Sequence, residues 1–446
     1  MTISGPRSIG MTEFIRNSKG LRLFFDISLL CLTLSTVYFG TSLQLIVLFL
    51  ILAPFFIWPK LGREKFSQDH VLFLVLFGQY VVLHLLKAAW VDTNIINSSL
   101  TEEQIDKVIH WEIWALVLIL GVASLLRFCS IKQLGDWFHR YAPVVLLVGF
   151  LAMSFGYFAR FFSDHFPPFV LPYLETHCRI KNQGGTVFVA PLLFTVFTIM
   201  LFQKWQGLSV NAKRTRHILV GLAVISSTAY GGTRGIFIAQ ILSFSVLGLL
   251  LLWFNRGRGA RDAASLVLAV CAGVAVGGAF DSIVGCGFFQ RVEVMTSLMK
   301  PDLAFDDFQG IEGGIALRVN SYQRALEVFA QRPFLGHGIA AEYGVAAGGL
   351  THVHNIYLSW MIWGGVVSLI SGIVFLLSAG LALLRRRRTF GSCVLGLSVA
   401  GPFLFSQLFD SFLFFENFLL LAMLVLTLSM ALGTQEEEEE EEESRA

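Results

Sequence analysis

Apolar runs long enough to cross a bilayer recur along nearly the whole chain, separated by short polar connections. A helix of about 20 residues spans the roughly 30 Å hydrocarbon layer. About twelve runs meet that length, near 23 to 40, 42 to 58, 70 to 90, 111 to 128, 142 to 162, 186 to 203, 216 to 232, 235 to 254, 264 to 285, 353 to 383, 391 to 409 and 413 to 432. The pattern predicts an all-α, polytopic integral membrane protein. It forms a single membrane domain over 1–432, followed by an acidic tail over 433–446.

One interruption is sizeable, from 287 to 352, between the ninth and tenth spans. Within it Ile315, Val319, Tyr322, Leu326 and Phe329 recur at near-helical spacing, and Pro333 follows. That predicts a lid helix from 314 to 331. The glycines at 336, 338, 344, 348 and 349 then suggest a flexible approach to the next span. Two shorter connections on the same side read as a surface helix capped by Thr101 with Gln104 and a proline-rich loop ending at Gly184 and Gly185.

Charge orients these spans. Most of the 33 lysines and arginines fall in one alternate set of connections, including Lys213, Arg214, Arg216, Arg258, Arg261 and Arg385 to Arg388. By the positive-inside rule this set is cytoplasmic, which puts both termini inside and the lid in the periplasm. No cleavable leader is recognised, so the first span is expected to direct insertion. A run of eight glutamates near the C-terminus is expected to stay solvated and disordered.

The basic residues on the outer side run against that bias and are the informative ones. Arg234 lies in "GGTRG", a turn between two apolar spans. A guanidinium so close to hydrocarbon is costly unless an anion compensates it, and glycines beside a helix start favour close anion approach. The competing role is snorkelling to lipid phosphate. Arg160, at the end of the fifth span, and Arg318, on the lid helix, are candidates to share that anion. Arg324, about two turns along from Arg318, need not share its face. Arg179 and Lys181 add to the positive outer rim.

The histidines lie in "THVHNIYLSW". His352 and His354, two apart, point away from each other on a regular helix, which disfavours a shared metal. His354 fits a general base: opening a helix, with Thr351 as a possible cap, it faces a positive dipole end that favours neutral imidazole. A histidine merely bonded to backbone is the plainer alternative. His337 and His352 are weaker candidates, and Asp410, with Glu416, could orient a histidine, bind a sugar or start a helix.

No paired acids stand in the first outer turn and no Walker motif appears, so neither metal nor nucleotide cofactor is expected. Asp302, Asp306 and Asp307 lie in an unspecific loop setting. Cys178 and Cys286 are the two cysteines placed where a disulfide could persist; a bridge and two separate thiols both remain open.

Three stretches together, "GGTRG", "RALEVFAQRPFLGHG" and "HVHNIYLSWMIWGG", resemble the O-antigen ligase and polymerase superfamily of bacterial envelope glycan enzymes. The span plan and the late lid fit that resemblance. It implies metal-independent, inverting transfer of a glycan from undecaprenyl diphosphate to a sugar hydroxyl at the periplasmic face of the inner membrane. By motif position it implies a diphosphate-binding Arg234 and a catalytic His354, with Arg160 and Arg318 as looser correspondences. The "HVHN" stretch and single late loop favour a ligase acting on lipid A core over a polymerase. A lipid-linked glycan flippase would place charges deep within several spans, whereas the candidates here gather at one face. A purely structural envelope protein leaves the outer arginines and histidines without a role. Donor, acceptor and membrane lipids are the expected partners; nucleic acid is not.

Overall fold

The computed structural model describes residues 131–159, 186–231, 234–255, 257–284, 313–338, 341–345, 353–386 and 389–407, together with Asp26, Ile27, Leu30, Phe289, Val425, Leu428, Ser429, Leu432 and Gly433. Among these every regular element is helical: α1 Ile131–Ala159, α2 Thr186–Met200, α3 Val210–Ile225, α4 Arg234–Phe254, α5 Gly259–Val284, α6 Gly313–Gln331, α7 Ala341–Val345, α8 Ile356–Arg386 and α9 Phe390–Gln407. A short 3₁₀ turn, Trp205–Gly207, leads into α3, and a π-helical turn, Ser226–Gly231, follows it.

By length and hydropathy Gly235–Phe254, Gly259–Ser282 and Ile356–Val374 can cross a membrane, and α2 and α9 contain shorter apolar stretches. These segments coincide with spans read from the sequence. The expected spans near 23, 42, 70, 111 and 413 lie essentially outside the described residues, as do the Thr101 helix, the proline-rich loop, Cys178 and Cys286. The lid helix α6 starts within one residue of its predicted position.

α1 departs from the prediction. It begins at Ile131, ahead of the span read from 142, so Lys132 and Arg140 sit on a helix and not in the connection before it. The cause is amphipathic packing: Leu134, Trp137 and Phe138 are buried, and Phe138 meets Phe197 edge-on at 5.2 Å. An apolar stripe holds a helix that a mean-hydropathy reading starts too late.

The bundle is ordered by neighbours. α9 runs along α4 and α8, α3 runs along α5, and α2 lies against α3 and α9. Between α2, α3 and α4 sits buried Gln240, whose amide donates to Thr195 Oγ1 at 2.7 Å and Ala223 O at 3.0 Å and lies 3.2 Å from Pro191 O. Its Oε1 accepts from Ser227 Oγ at 2.5 Å. A buried amide is tolerated in apolar surroundings only when its groups are so satisfied.

Two contacts fix which ends coincide. Phe254, closing α4, meets Phe390, opening α9, at 6.0 Å. Tyr357, in the first turn of α8, donates to Leu404 O near the end of α9 at 2.9 Å. α4 and α8 therefore start at the same end of the bundle, and α9 runs back against both.

The opposite end gathers Lys213, Arg214, Arg216, Arg258, Arg261 and the close of α8 at Arg386. There Asp262 accepts from Trp205 Nε1 at 2.8 Å and Asn255 Nδ2 at 2.5 Å, with Lys213 Nζ at 3.7 Å. Lys213 also lies over the Trp205 ring, 4.6 Å from its centroid. Among the described residues, these basic residues of the one set thus lie at the end opposite α6, which carries Arg318 and Arg324 of the other.

Candidate functional site

At the end where α4 and α8 begin, the chain arrives at α4 through the π turn. Ser226 and Thr228 there donate to Ala223 O at 2.6 Å and Val224 O at 3.0 Å, and Ser227 Oγ, which donates to Gln240, lies 2.9 Å from Val224 O. These hydroxyls compete for carbonyls and support a widened turn, a device frequent at functional sites. Gly277 of α5 lies directly against Thr228; a Cβ there would overlap the threonine side chain. Arg234 is the first residue of α4, a position the sequence reading gave to Gly235. Its backbone is therefore at a helix N-terminus, where unpaired N–H groups carry partial positive charge.

Asp281, a residue sequence reasoning passed over, lies one turn of α5 beyond Gly277. It is buried and accepts from the Phe289 N–H at 3.2 Å. Phe289 in turn meets Phe237, in the first turn of α4, at 6.4 Å. An acid thus stands near the helix start that Arg234 opens. Its only sequence signal is a carboxylate interrupting an apolar run.

His354 does not open α8. The first helical residue is Ile356, and the cap is Asn355, whose Oδ1 accepts from the N–H groups of Tyr357 at 3.0 Å and Leu358 at 3.2 Å. This replaces the expected cap, Thr351, which lies outside the described residues. A side-chain amide one residue before the helix is the better placed acceptor. His354 takes a left-handed backbone, φ 59°, the one non-glycine residue to do so among those described. Such a conformation costs about 1 kcal/mol or more and persists where the surroundings impose it. Here Tyr322 of α6 holds it, donating from Oη to His354 O at 3.0 Å. The His354 side chain is half-buried.

Glu342 of α7, also missed, fixes the residue before it. The carboxylate is 2% exposed and accepts from Val353 N–H at 2.9 Å and Ser359 Oγ at 2.7 Å on one oxygen, and from Trp363 Nε1 at 2.7 Å on the other. The short α7 is thereby tied to both sides of His354. Nothing in a five-residue helix set among alanines and glycines announces such a tie.

The turn "PFLGHG" is docked against α8. α8 breaks at Gly364 and Gly365, and residues 333 to 338 occupy the opening. Val366 N–H donates to Pro333 O at 2.7 Å, while Ile362 O accepts from His337 N–H at 2.7 Å and Trp363 O from Gly338 N–H at 2.9 Å. Three of the backbone groups at the break thus find partners in the turn, as nonhelical backbone within an apolar bundle requires. Gly365, at φ 63° and ψ −153°, occupies a region essentially reserved for glycine, and a Cβ on it would collide with Pro333 and Phe334 backbone. The predicted unbroken span is thus two helical arms.

His337 belongs to this seam. It is buried, and its Nε2 lies 2.9 Å from Val328 O of α6. On α6, Arg318 is half-buried while Arg324 is exposed, so the two do not share an environment. Arg160, His352 and Asp410 lie outside the described residues. Among the described residues no three of His, Cys, Asp and Glu are grouped closely enough to hold a metal.

The structure therefore brings the α4 start, Asp281, α6 and the His354 segment to one end of the bundle. A candidate anion-binding turn and a candidate base are presented from the same side. Residues 219–373 match the family model described as O-antigen ligase, a stretch that runs from α3 through the π turn and α6 into α8. No curated protein matches the chain.

Proposed function

We propose that this chain, whose residues 219–373 match the family model described as O-antigen ligase, transfers a glycan from undecaprenyl diphosphate to a sugar hydroxyl of lipid A core. The observation that carries this reading is the common end of Arg234 and His354, with His354 held in a strained backbone by Tyr322. The reaction proceeds on the periplasmic face of the inner membrane, both termini being cytoplasmic.

His354 takes the proton from the acceptor hydroxyl as its oxygen attacks the anomeric carbon. The bond from that carbon to the diphosphate oxygen breaks on the opposite face, which inverts the centre. Negative charge then grows on the departing diphosphate. Arg234, with Arg160 and Arg318, stabilises it, supplying what a divalent cation supplies elsewhere. His337 supports the turn rather than the reacting atoms, and Arg324, His352 and Asp410 are supporting residues in this reading.

The test is reconstitution in vesicles with a lipid-linked glycan and either lipid A core or a second carrier-linked glycan. Glycan joined to lipid A core supports the ligase. Extension on the carrier identifies a polymerase, the alternative within the superfamily. Movement of the carrier between leaflets with no new glycosidic bond overturns both in favour of a flippase.

A further inference from the structure

The turn docked in the break of α8 carries a surface that glycan transfer does not use. Phe334 and Leu335 at its tip are 72% and 65% exposed. Two adjacent large apolar side chains facing water would be unfavourable in a periplasmic loop. Two observations identify what covers them.

The first is continuity. Val366 is bonded to Pro333, and from the next residue Val367, Ile370 and Val374 form one exposed face of α8. That spacing is a helical stripe, and on a membrane-crossing helix an exposed apolar stripe faces lipid. The tip sits at its upper edge. The second is depth. α8 has 31 residues, more than one crossing needs, and its most apolar stretch is the uncharged run 366–384 before Arg385 rather than 356–365 with its tyrosine, serine and two tryptophans, so the roughly 30 Å of helix set in hydrocarbon runs from Arg385 back to Gly365. The break, and the turn docked in it, are therefore level with the hydrocarbon boundary on the lid side.

We infer that Phe334 and Leu335 form an interfacial anchor, seated between the headgroups and the first methylenes of the phospholipid leaflet on the lid side. A phenylalanine and a leucine at that level bury apolar surface without a spanning segment, as interfacial anchors do. The anchor fixes the height of α6 above the leaflet. Because its docking bonds run to Ile362, Trp363 and Val366, it also fixes the upper arm of α8. The inference rests on α8 crossing the membrane and does not depend on the reaction catalysed.

The test is tryptophan fluorescence of Phe334→Trp and, separately, Leu335→Trp in phosphatidylcholine vesicles, each read as the difference from the parent protein. Both positions are exposed, so neither substitution disturbs the core. Vesicles carry lipid brominated at carbons 6 and 7 or at carbons 11 and 12. The added emission is expected to fall most with the shallow bromines and to resist aqueous iodide. Emission quenched by iodide and indifferent to both brominated lipids would overturn the anchor, as would quenching by the deep bromines alone. Loss of glycan transfer in the same vesicles would bear on the proposed reaction and leave the depth measurement standing.

Discussion

At the scale of single residues, the backbone of His354 separates its chemistry from its structural role. Glycine tolerates φ near 59° without strain, so His354→Gly should abolish transfer, by about 100-fold or more, while thermal unfolding shifts stability by less than about 1 kcal/mol. Transfer persisting in that variant would reject the base. Arg234→Ala should weaken binding of undecaprenyl diphosphate as well as turnover, and an unchanged affinity would contradict the anion site. Glu342→Ala strands the Val353 N–H and the Trp363 indole in a buried place and should cost about 3 kcal/mol, read by chemical denaturation in detergent. Arg234 and His354 could be singled out from sequence because a charge or an imidazole at the edge of an apolar run is conspicuous. Glu342 and Tyr322 could not, since their importance lies in partners distant along the chain. The torsion at His354 also restricts what may replace it: histidine, asparagine and aspartate are the side chains most at ease there, and of these only histidine titrates near neutral pH.

At the scale of elements, helix positions were legible and helix interruptions were not. Periodicity located α6 because one face of it is apolar, and hydropathy located α4 and α5 because each runs uninterrupted between charged ends. Hydropathy is blind to the break in α8, where two glycines sit inside an apolar run. It is equally blind to the turn that fills the break, which by composition reads as flexible. Lock and key lie about 30 residues apart and make sense only together. Gly365→Ala should accordingly destabilise by about 2 kcal/mol or more, through torsion and collision with the docked turn. The measurement is the unfolding midpoint, with protease sensitivity near residues 332 to 338 as the local readout. A variant as stable and as protected as the parent would show that the seam does not hold the lid.

At the scale of the whole molecule, the segregation of charge to the two ends was the most legible property, because basic residues avoid crossing the membrane wherever they fall in the fold. Which end faces the periplasm is testable by labelling single cysteines introduced at exposed Arg324 and at exposed Arg261 with a membrane-impermeant thiol reagent in intact cells, in a background without native cysteines. Arg324→Cys should react and Arg261→Cys should not; the reverse pattern would invert the orientation. Activity should survive chelation, and loss in chelator restored by a divalent ion would overturn the arginine-based stabilisation of the leaving group. The seam at Gly365 has a mechanical consequence beyond stability. A helix broken and then bolted across its break moves as an elbow with its cover plate attached, so α6 and the upper arm of α8 must travel as one body. Tilting α8 to suit a thinner or thicker bilayer would raise or lower that body as a unit, and acyl-chain length becomes a dial on the height of the lid helix above the lipid surface.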